Sequence, residues 1–110
     1  MSLDSTLARL EAVIAERRRA DPASSYVAKL NAKGLPTIAR KLGEEATEAI
    51  IAALTGDHQE LVGEAADLLF HLLVLLGAKD VSLTEVLAEL DRREGTSGIA
   101  EKAARSQPGT

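Results

Sequence analysis

The sequence contains no cysteine and no tryptophan, and among its 110 residues Tyr26 and Phe70 are the only other large aromatic residues. The absence of cysteine excludes disulfide bonds and metal sites built from thiolates. Only three prolines are present, and Ala, Leu, Ile and Val supply nearly all of the apolar content. This composition favours helices over sheet. Because a chain of this length forms one compact unit, we predict a single all-α domain spanning 1–110.

Clustered positive charge and long apolar runs are also lacking. Basic residues are dispersed apart from the run at 17–19, and the net charge is −4, so we expect no nucleic-acid partner. The longest uninterrupted apolar stretch, residues 72–78 with Gly77 counted, is too short to cross a bilayer. The first residues lack the basic-then-apolar pattern of a secretion signal. We therefore expect a cytoplasmic protein that does not bind membranes.

Capping residues and stop signals divide the chain into helices. The pattern predicts an amphipathic helix at 5–19, a short helix capped by Ser24 or Ser25 and stopped by Gly34, a long helix from Pro36 to Leu54, a partner helix at 57–77, and a further helix that opens with the capping box Ser82–Glu85 and ends at Gly95. Residues 96–110 are predicted to form a loop and a flexible tail, with one turn of helix at 99–105. The expected architecture is an antiparallel helical bundle of four to five helices.

One of these helices carries more apolar surface than a small bundle can cover. Residues 68–76 are apolar nearly all round, with His71 as the exception. A monomer would expose this segment as a large apolar patch. We therefore predict that homodimerisation completes the bundle.

Two carboxylate pairs at i,i+3 spacing flank a turn signal at residues 55–57. In an antiparallel hairpin, matched distances from the turn place Glu48 opposite Glu64, and Glu45 opposite Asp67. Like charges this close repel, so the cluster needs raised pKa values or a counter-ion. Carboxylate oxygens suit a hard ion such as Mg²⁺ or Mn²⁺. The spacing thus indicates a divalent-metal site, with a solvated acidic face as the alternative.

Three segments of the sequence together match one enzyme family. They are Ser25-Tyr26-Val27-Ala28-Lys29-Leu30, Lys41-Leu42-Gly43-Glu44-Glu45-Ala46-Thr47-Glu48 and Glu64-Ala65-Ala66-Asp67-Leu68-Leu69-Phe70-His71-Leu72-Leu73-Val74-Leu75-Leu76. From about Leu7 to Arg105 the chain resembles the phosphoribosyl-ATP pyrophosphatase family of the all-α, MazG-like nucleotide pyrophosphohydrolases. The superfamily mark is a Glu-x-x-Glu pair followed by Glu-x-x-Asp, and the first segment and the run at 98–102 point to the histidine-pathway member. Phe70 stands where we expect this family to have tyrosine.

The resemblance implies the Mg²⁺-dependent hydrolysis of phosphoribosyl-ATP to phosphoribosyl-AMP and pyrophosphate, the second step of histidine biosynthesis, with Mn²⁺ as a possible substitute. Attack by water between the α and β phosphates requires neutralised charge and an activated water, and needs no protein nucleophile. By this resemblance Glu45, Glu48, Glu64 and Asp67 are metal ligands. Glu44 is a further ligand or the base that orients the water.

Cationic side chains are then expected to bind the substrate's phosphates. Lys41 is the first candidate, because it lies one turn before Glu45 on the metal face. The other cationic candidates are Lys29, Lys33, Lys102 and Arg105. Ser25 and Tyr26 are candidates for contact with the ribose phosphate or the adenine, although Ser25 can equally be a helix cap.

The two histidines, His58 and His71, bear on the alternative functions that the carboxylate pairs would also fit. His71 shares a helix face with Asp67, but a lone histidine amid leucines is typical of a hydrogen-bonded core residue. A ferritin-like di-metal bundle requires Glu-x-x-His pairs, which neither His58 nor His71 completes. A general nucleoside-triphosphate pyrophosphohydrolase shares the metal motif and differs in its base and ribose contacts. A non-enzymatic helical dimerisation module would carry the same carboxylates only as solvated groups.

Overall fold

The computed structural model describes residues 3–95 and 98–105, and within these ranges the chain forms helices and no strand. The six helices are α1 (Leu3–Arg17), α2 (Tyr26–Lys33), α3 (Leu35–Thr55), α4 (His58–Ala78), α5 (Leu83–Arg93) and α6 (Gly98–Arg105). The predicted all-α class is confirmed, and the boundaries of the first five helices agree with the sequence-based prediction to within two residues.

The helix ends lie where the sequence places caps and stops. The Ser25 hydroxyl accepts a hydrogen bond from a backbone N–H at the start of α2, and the Asp57 carboxylate does the same at the start of α4. Ser82 and Glu85 form both bonds of a capping box at the start of α5. Between α3 and α4, Gly56 has a φ of 82°, a left-handed conformation that is costly for other residues. Gly56 and the Asp57 cap together form the two-residue turn that makes α3 and α4 an antiparallel hairpin.

The C-terminal segment differs from its prediction. Where the sequence predicts a loop with one helical turn, residues 98–105 form an eight-residue helix. The described residues therefore form six helices, and the predicted number of four to five is too low. Alanine, glutamate, lysine and arginine make up most of this stretch and are strong helix formers, which accounts for the additional turn. The predicted loop at 96–97 and the predicted tail at 106–110 lie outside the described residues.

The hydrophobic core lies at one end of the hairpin, where α1, α2 and α5 pack against it. Its buried members are Ile14, Val27, Leu30, Ile38, Leu73, Val74 and Leu83. On α3 only Ile38, near its start, belongs to this cluster, so the half of the hairpin nearest the turn extends beyond the core. The radius of gyration is accordingly 16.2 Å, compared with about 13 Å for a compact domain of similar length.

Two polar contacts fix α1 against the ends of other helices. Arg18 Nη1 donates a hydrogen bond to the Gly77 carbonyl at 2.6 Å, and Glu11 Oε2 accepts one from the Leu83 N–H at 2.7 Å. Backbone groups in the last turn of α4 and the first turn of α5 have no partner within their own helices. The side chains of Glu11, on α1, and of Arg18, in the turn that directly follows α1, supply these partners and help to hold the core end together.

Beyond the core, both helices of the hairpin expose apolar side chains. We call this surface the apolar hairpin face; its members are 47–82% exposed and are Ile50, Ile51, Leu54, Val62 and Leu69. On α4, Val62 and Leu69 each lie two residues from a carboxylate, so they point away from it. A surface of this kind is typical of an interface. The dimer itself stays a prediction.

Helix α4 is long and apolar enough, by length and composition alone, to cross a membrane. The uninterrupted apolar run used in the sequence analysis is shorter, because acidic and small residues divide the first half of α4. Asp67 lies near the middle of this helix, where an acidic residue would cost about 2.5–3.5 kcal/mol at the centre of a bilayer. Its second half is packed in the core through Leu73 and Val74. Only 17% of the most apolar window of α4 is buried, so most of this helix lies at the surface of a single chain.

Candidate metal centre

Three carboxylates converge where α3 and α4 face each other. Oxygen atoms of Glu45, Glu48 and Glu64 all lie within 4.8 Å of one another. Glu45 and Glu48 are one turn apart on α3, and Glu64 reaches them from α4. Glu45 and Glu64 are half-buried, whereas Glu48 is exposed. The structure thus brings together three of the four carboxylates that the sequence places in the metal site.

Two oxygens of this group are buried without a partner. Glu45 Oε2 and Glu64 Oε2 have no hydrogen-bond partner among the described residues. Buried polar atoms are almost always paired, and an unpaired carboxylate oxygen is costly. A hard divalent cation prefers such oxygen ligands and would satisfy both atoms at once. The residues present therefore fit a divalent metal.

The crowding of the carboxylates also shifts their titration. The pKa of Glu64 is raised to about 7, chiefly by a hydrogen bond with Glu48, then by burial and by repulsion from Glu48, Glu45 and Asp67. The pKa of Glu45 is raised mainly by burial, with its contact to Glu48 acting in the same direction. Without a cation, the cluster therefore retains a proton far more readily than isolated glutamates would.

Asp67 lies beside this group and not within it. Its side chain is exposed, and the group of three does not include it. Its charge nevertheless raises the pKa of both Glu45 and Glu64, which places it within electrostatic reach of the site. Asp67 thus adds negative charge where the sequence predicts a fourth ligand.

Glu44 is paired with cations of its own helix. Its oxygens lie 3.6 Å from Arg40 Nη1 and 3.5 Å from Lys41 Nζ, and it is not a member of the group of three. Exposed ion pairs of this kind stabilise a helix only slightly. A phosphate can therefore compete with Glu44 for Lys41 at little cost.

Comparison with known proteins identifies the chain's family. A profile of phosphoribosyl-ATP pyrophosphohydrolase matches residues 7–94. The chain belongs to the phosphoribosyl-ATP pyrophosphohydrolase family. The matched range contains the three converging carboxylates and Asp67, whereas α6 lies beyond its end.

Several members named phosphoribosyl-ATP pyrophosphatase are similar to this one over most of their length. The protein of Novosphingobium aromaticivorans is 77% identical over 100 residues, which cover 91% of this chain and 94% of the relative. That of Erythrobacter litoralis is 74% identical, with 91% and 96% covered. That of Dinoroseobacter shibae is 65% identical over 101 residues, with 92% and 99% covered.

The other candidate substrate-binding residues lie on α2, at its N-cap, and on α6. The Ser25 hydroxyl is buried and accepts the Ala28 N–H at 3.2 Å, so the helix-cap reading of Ser25 is confirmed. The cationic side chains of both helices are exposed, namely Lys29, Lys33, Lys102 and Arg105. Their roles in binding phosphate stay predictions.

His71 is a buried, hydrogen-bonded histidine, as the sequence predicts. It is 6% exposed, with Nδ1 at 2.8 Å from the Asp67 carbonyl and Nε2 at 2.9 Å from the Tyr26 hydroxyl. The i,i+4 spacing within α4 indicates the first contact. The second joins residues 45 positions apart, and helical periodicity carries no information on it. The hydrogen bond between Tyr26 and His71 is therefore not predictable from the sequence pattern.

We expect this protein, without bound metal, to become less stable as the pH rises. Glu64 has a pKa of about 7 when folded and 4.5 as its ordinary value, so between these values the folded state binds a proton that the unfolded state has released. The resulting stabilisation is complete below pH 4.5 and is lost by about pH 7. Urea unfolding of chelator-treated protein at several pH values should show the free energy of unfolding falling through this window.

Glu64→Gln provides the matched control for this titration. Because the amide cannot ionise, the fall in stability between pH 4.5 and about 7 should become shallower in this variant. An identical pH dependence in the two proteins would show that Glu64 does not titrate in this window.

Proposed function

We propose that this protein hydrolyses phosphoribosyl-ATP to phosphoribosyl-AMP and pyrophosphate, the second step of histidine biosynthesis. Family membership over residues 7–94 supports this reaction, as do the relatives named phosphoribosyl-ATP pyrophosphatase. The observation that carries the chemistry is the convergence of Glu45, Glu48 and Glu64, with two buried oxygens that have no partner among the described residues.

In this proposal Glu45, Glu48, Glu64 and Asp67 hold Mg²⁺, for which Mn²⁺ can substitute. A divalent cation, when bound, neutralises polyphosphate charge and lowers the pKa of the attacking water. The half-buried Glu45 and Glu64 and the exposed Glu48 would each supply a carboxylate oxygen to the ion. Asp67 completes the set through the charge that already acts on Glu45 and Glu64.

Lys41 and Glu44 would act on the substrate and on the water. When a substrate phosphate takes the Lys41 ammonium, Glu44 loses one of its two cationic partners. The released carboxylate can then accept a proton from the attacking water, or serve as a further ligand. The other proposed contacts to phosphate, ribose and adenine are Lys29, Lys33, Lys102, Arg105, Ser25 and Tyr26.

Pyrophosphate release from phosphoribosyl-ATP, measured with Mg²⁺ and with a chelator, tests the proposed function. We expect release only with the metal, and kcat/KM for phosphoribosyl-ATP should exceed that for ATP by about 100-fold or more. Binding energy from the additional phosphoribosyl group would position the α–β bond, so ATP should lose turnover as well as affinity. Truncation after Gly95, which removes α6, should reduce the ratio of kcat/KM for phosphoribosyl-ATP to kcat/KM for ATP.

A nucleotide panel separates this proposal from its alternatives. Equal efficiency on ATP, or a preference for a deoxynucleoside triphosphate, would favour a general nucleoside-triphosphate pyrophosphohydrolase and leave the metal chemistry intact. A titration that shows no binding of Mg²⁺ or Mn²⁺ would instead favour the helical dimerisation module.

We further propose a cytoplasmic homodimer that binds neither membranes nor nucleic acids. The apolar hairpin face is exposed in a single chain, and a second copy would cover it without leaving carboxylates in a bilayer. The acidic net charge of −4 disfavours nucleic acid as the partner.

A further inference from the structure

Three rings meet where α2 packs against the bundle. Tyr26 and Phe70 stack with their ring centroids 6.1 Å apart. The His71 ring stands edge-on to both, at 5.7 Å from Tyr26 and 5.2 Å from Phe70. The chain's only tyrosine and only phenylalanine are therefore both used to enclose one histidine.

The hydrogen bonds of this histidine have a fixed direction. The Asp67 carbonyl can only accept, so His71 Nδ1 carries the hydrogen of the 2.8 Å bond between them. In the neutral ring Nε2 is then an acceptor, and the Tyr26 hydroxyl donates to it at 2.9 Å. A directed chain of two hydrogen bonds thus runs from α2, through the buried imidazole, to the backbone of a residue at the candidate metal centre.

The two side chains in this chain of hydrogen bonds differ in exposure. His71 is nearly inaccessible, whereas Tyr26 is 45% exposed. The only side chain bonded to Nε2 in the described part of the chain therefore comes from a different helix, at the protein surface.

We infer that Tyr26 is a positioning residue for the metal centre: its hydroxyl holds the His71 ring with Nδ1–H on the backbone carbonyl of Asp67, one of the candidate metal ligands. Partners of this kind, one layer behind the ligands, set the orientation of metal sites and commonly change metal affinity or activity by about 10–100-fold when removed. Tyr26 would thereby couple α2, which carries the candidate substrate contacts, to the carboxylates of α3 and α4. The inference rests on the proposed function for its kinetic readout alone.

Tyr26→Phe tests this role, because it removes the hydroxyl and preserves the ring stack. We expect kcat for phosphoribosyl-ATP to fall by about tenfold, with KM unchanged and the Mg²⁺ concentration for half-maximal activity raised. In the metal-free protein, the ¹⁵N resonance of His71 Nε2 should shift as its donor is lost, and Mn²⁺ affinity should fall. A rise in KM alone would instead make Tyr26 a substrate contact and would overturn the inference.

Two further variants separate positioning from simple stabilisation. Asn31 donates a side-chain hydrogen bond to the Val27 carbonyl within α2 at 3.0 Å. Asn31→Ala removes a polar contact of the same helix that does not reach the metal centre, so kcat and Mn²⁺ affinity should stay unchanged. His71→Asn keeps a donor near the Asp67 carbonyl but is too short to reach Tyr26. Both changes remove the same hydrogen bond between Tyr26 and His71. The double variant Tyr26→Phe/His71→Asn should therefore lose no more activity than His71→Asn.

The inference fails if Tyr26→Phe resembles Asn31→Ala in kcat and Mn²⁺ affinity, whatever its effect on thermal stability. It also fails if the losses of the two single variants add in the double variant. Should the parent protein release no pyrophosphate from phosphoribosyl-ATP, the proposed function fails, but Mn²⁺ affinity and the His71 resonance still decide whether Tyr26 positions the site.

Discussion

Glu48→Gln is expected to reduce Mg²⁺-dependent pyrophosphate release by at least about 100-fold, beyond the range typical of residues one layer behind a metal. The substitution removes a ligand charge from the group of three and keeps the side-chain volume. Glu48 is exposed, so the helical fold should persist. Steady-state kinetics with circular dichroism as the fold control would measure both effects.

Although Glu48→Gln should lose activity, its stability without metal should rise. Glu48 raises the pKa of Glu64 first through a hydrogen bond and then through charge repulsion; neutralising Glu48 removes the repulsion from the cluster. We therefore expect Glu48→Gln to be slightly more stable than the parent without metal, and to gain less stability when Mg²⁺ is added.

Glu60→Gln is the matched control for Glu48→Gln. Glu60 is an exposed carboxylate in the first turn of the same hairpin's second helix, and no role is assigned to it. Its variant should retain parental activity. Near-parental activity in Glu48→Gln as well would remove Glu48 from the set of ligands.

Val62→Glu is expected to break the protein's assembly. The parent should scatter light as a particle of at least twice the mass of one chain at micromolar concentration. Val62 is 53% exposed within the apolar hairpin face, and a buried glutamate at an apolar interface would have no partner for its charge. Because helical dimers that share a core often have no stable folded monomer, the variant should lose both mass and helix content.

Leu90→Glu serves as the control for this assembly test. Leu90 is 55% exposed, like Val62, but it lies on α5 outside the apolar hairpin face. Its variant should keep the parental mass. A parent that remains a stable, folded monomer would refute the dimer and leave the exposed apolar side chains of the hairpin without an explanation.

The features that were predictable from the sequence are local ones. Caps such as Ser25, Asp57 and Ser82 act within four residues of themselves, so their identity and spacing were enough to locate helix starts. The convergence of Glu48 and Glu64 also follows from local geometry, because a two-residue turn fixes which positions of α3 and α4 face each other.

Features that depend on long-range packing or on solvent exposure were not predictable in the same way. The hydroxyl of Tyr26 meets His71 only because the start of α2 lies beside α4, and the spacing of residues within a helix does not encode that contact. Glu44 has two cations within reach on its own helix, and the exposed side chain turns to them. Its place beside the carboxylate pairs therefore did not bring it into the group of three.

The position of the hydrophobic core at one end of the hairpin has a consequence for folding kinetics. The chain between Glu48 and Glu64 is short, so the entropy lost in bringing these carboxylates together is small. The core instead gathers residues from Ile14 to Leu83, so its formation brings together segments that are far apart in the chain. Contacts between neighbouring segments form faster than contacts between distant ones. Cations present during folding would therefore meet the acidic residues of the hairpin before the core has closed.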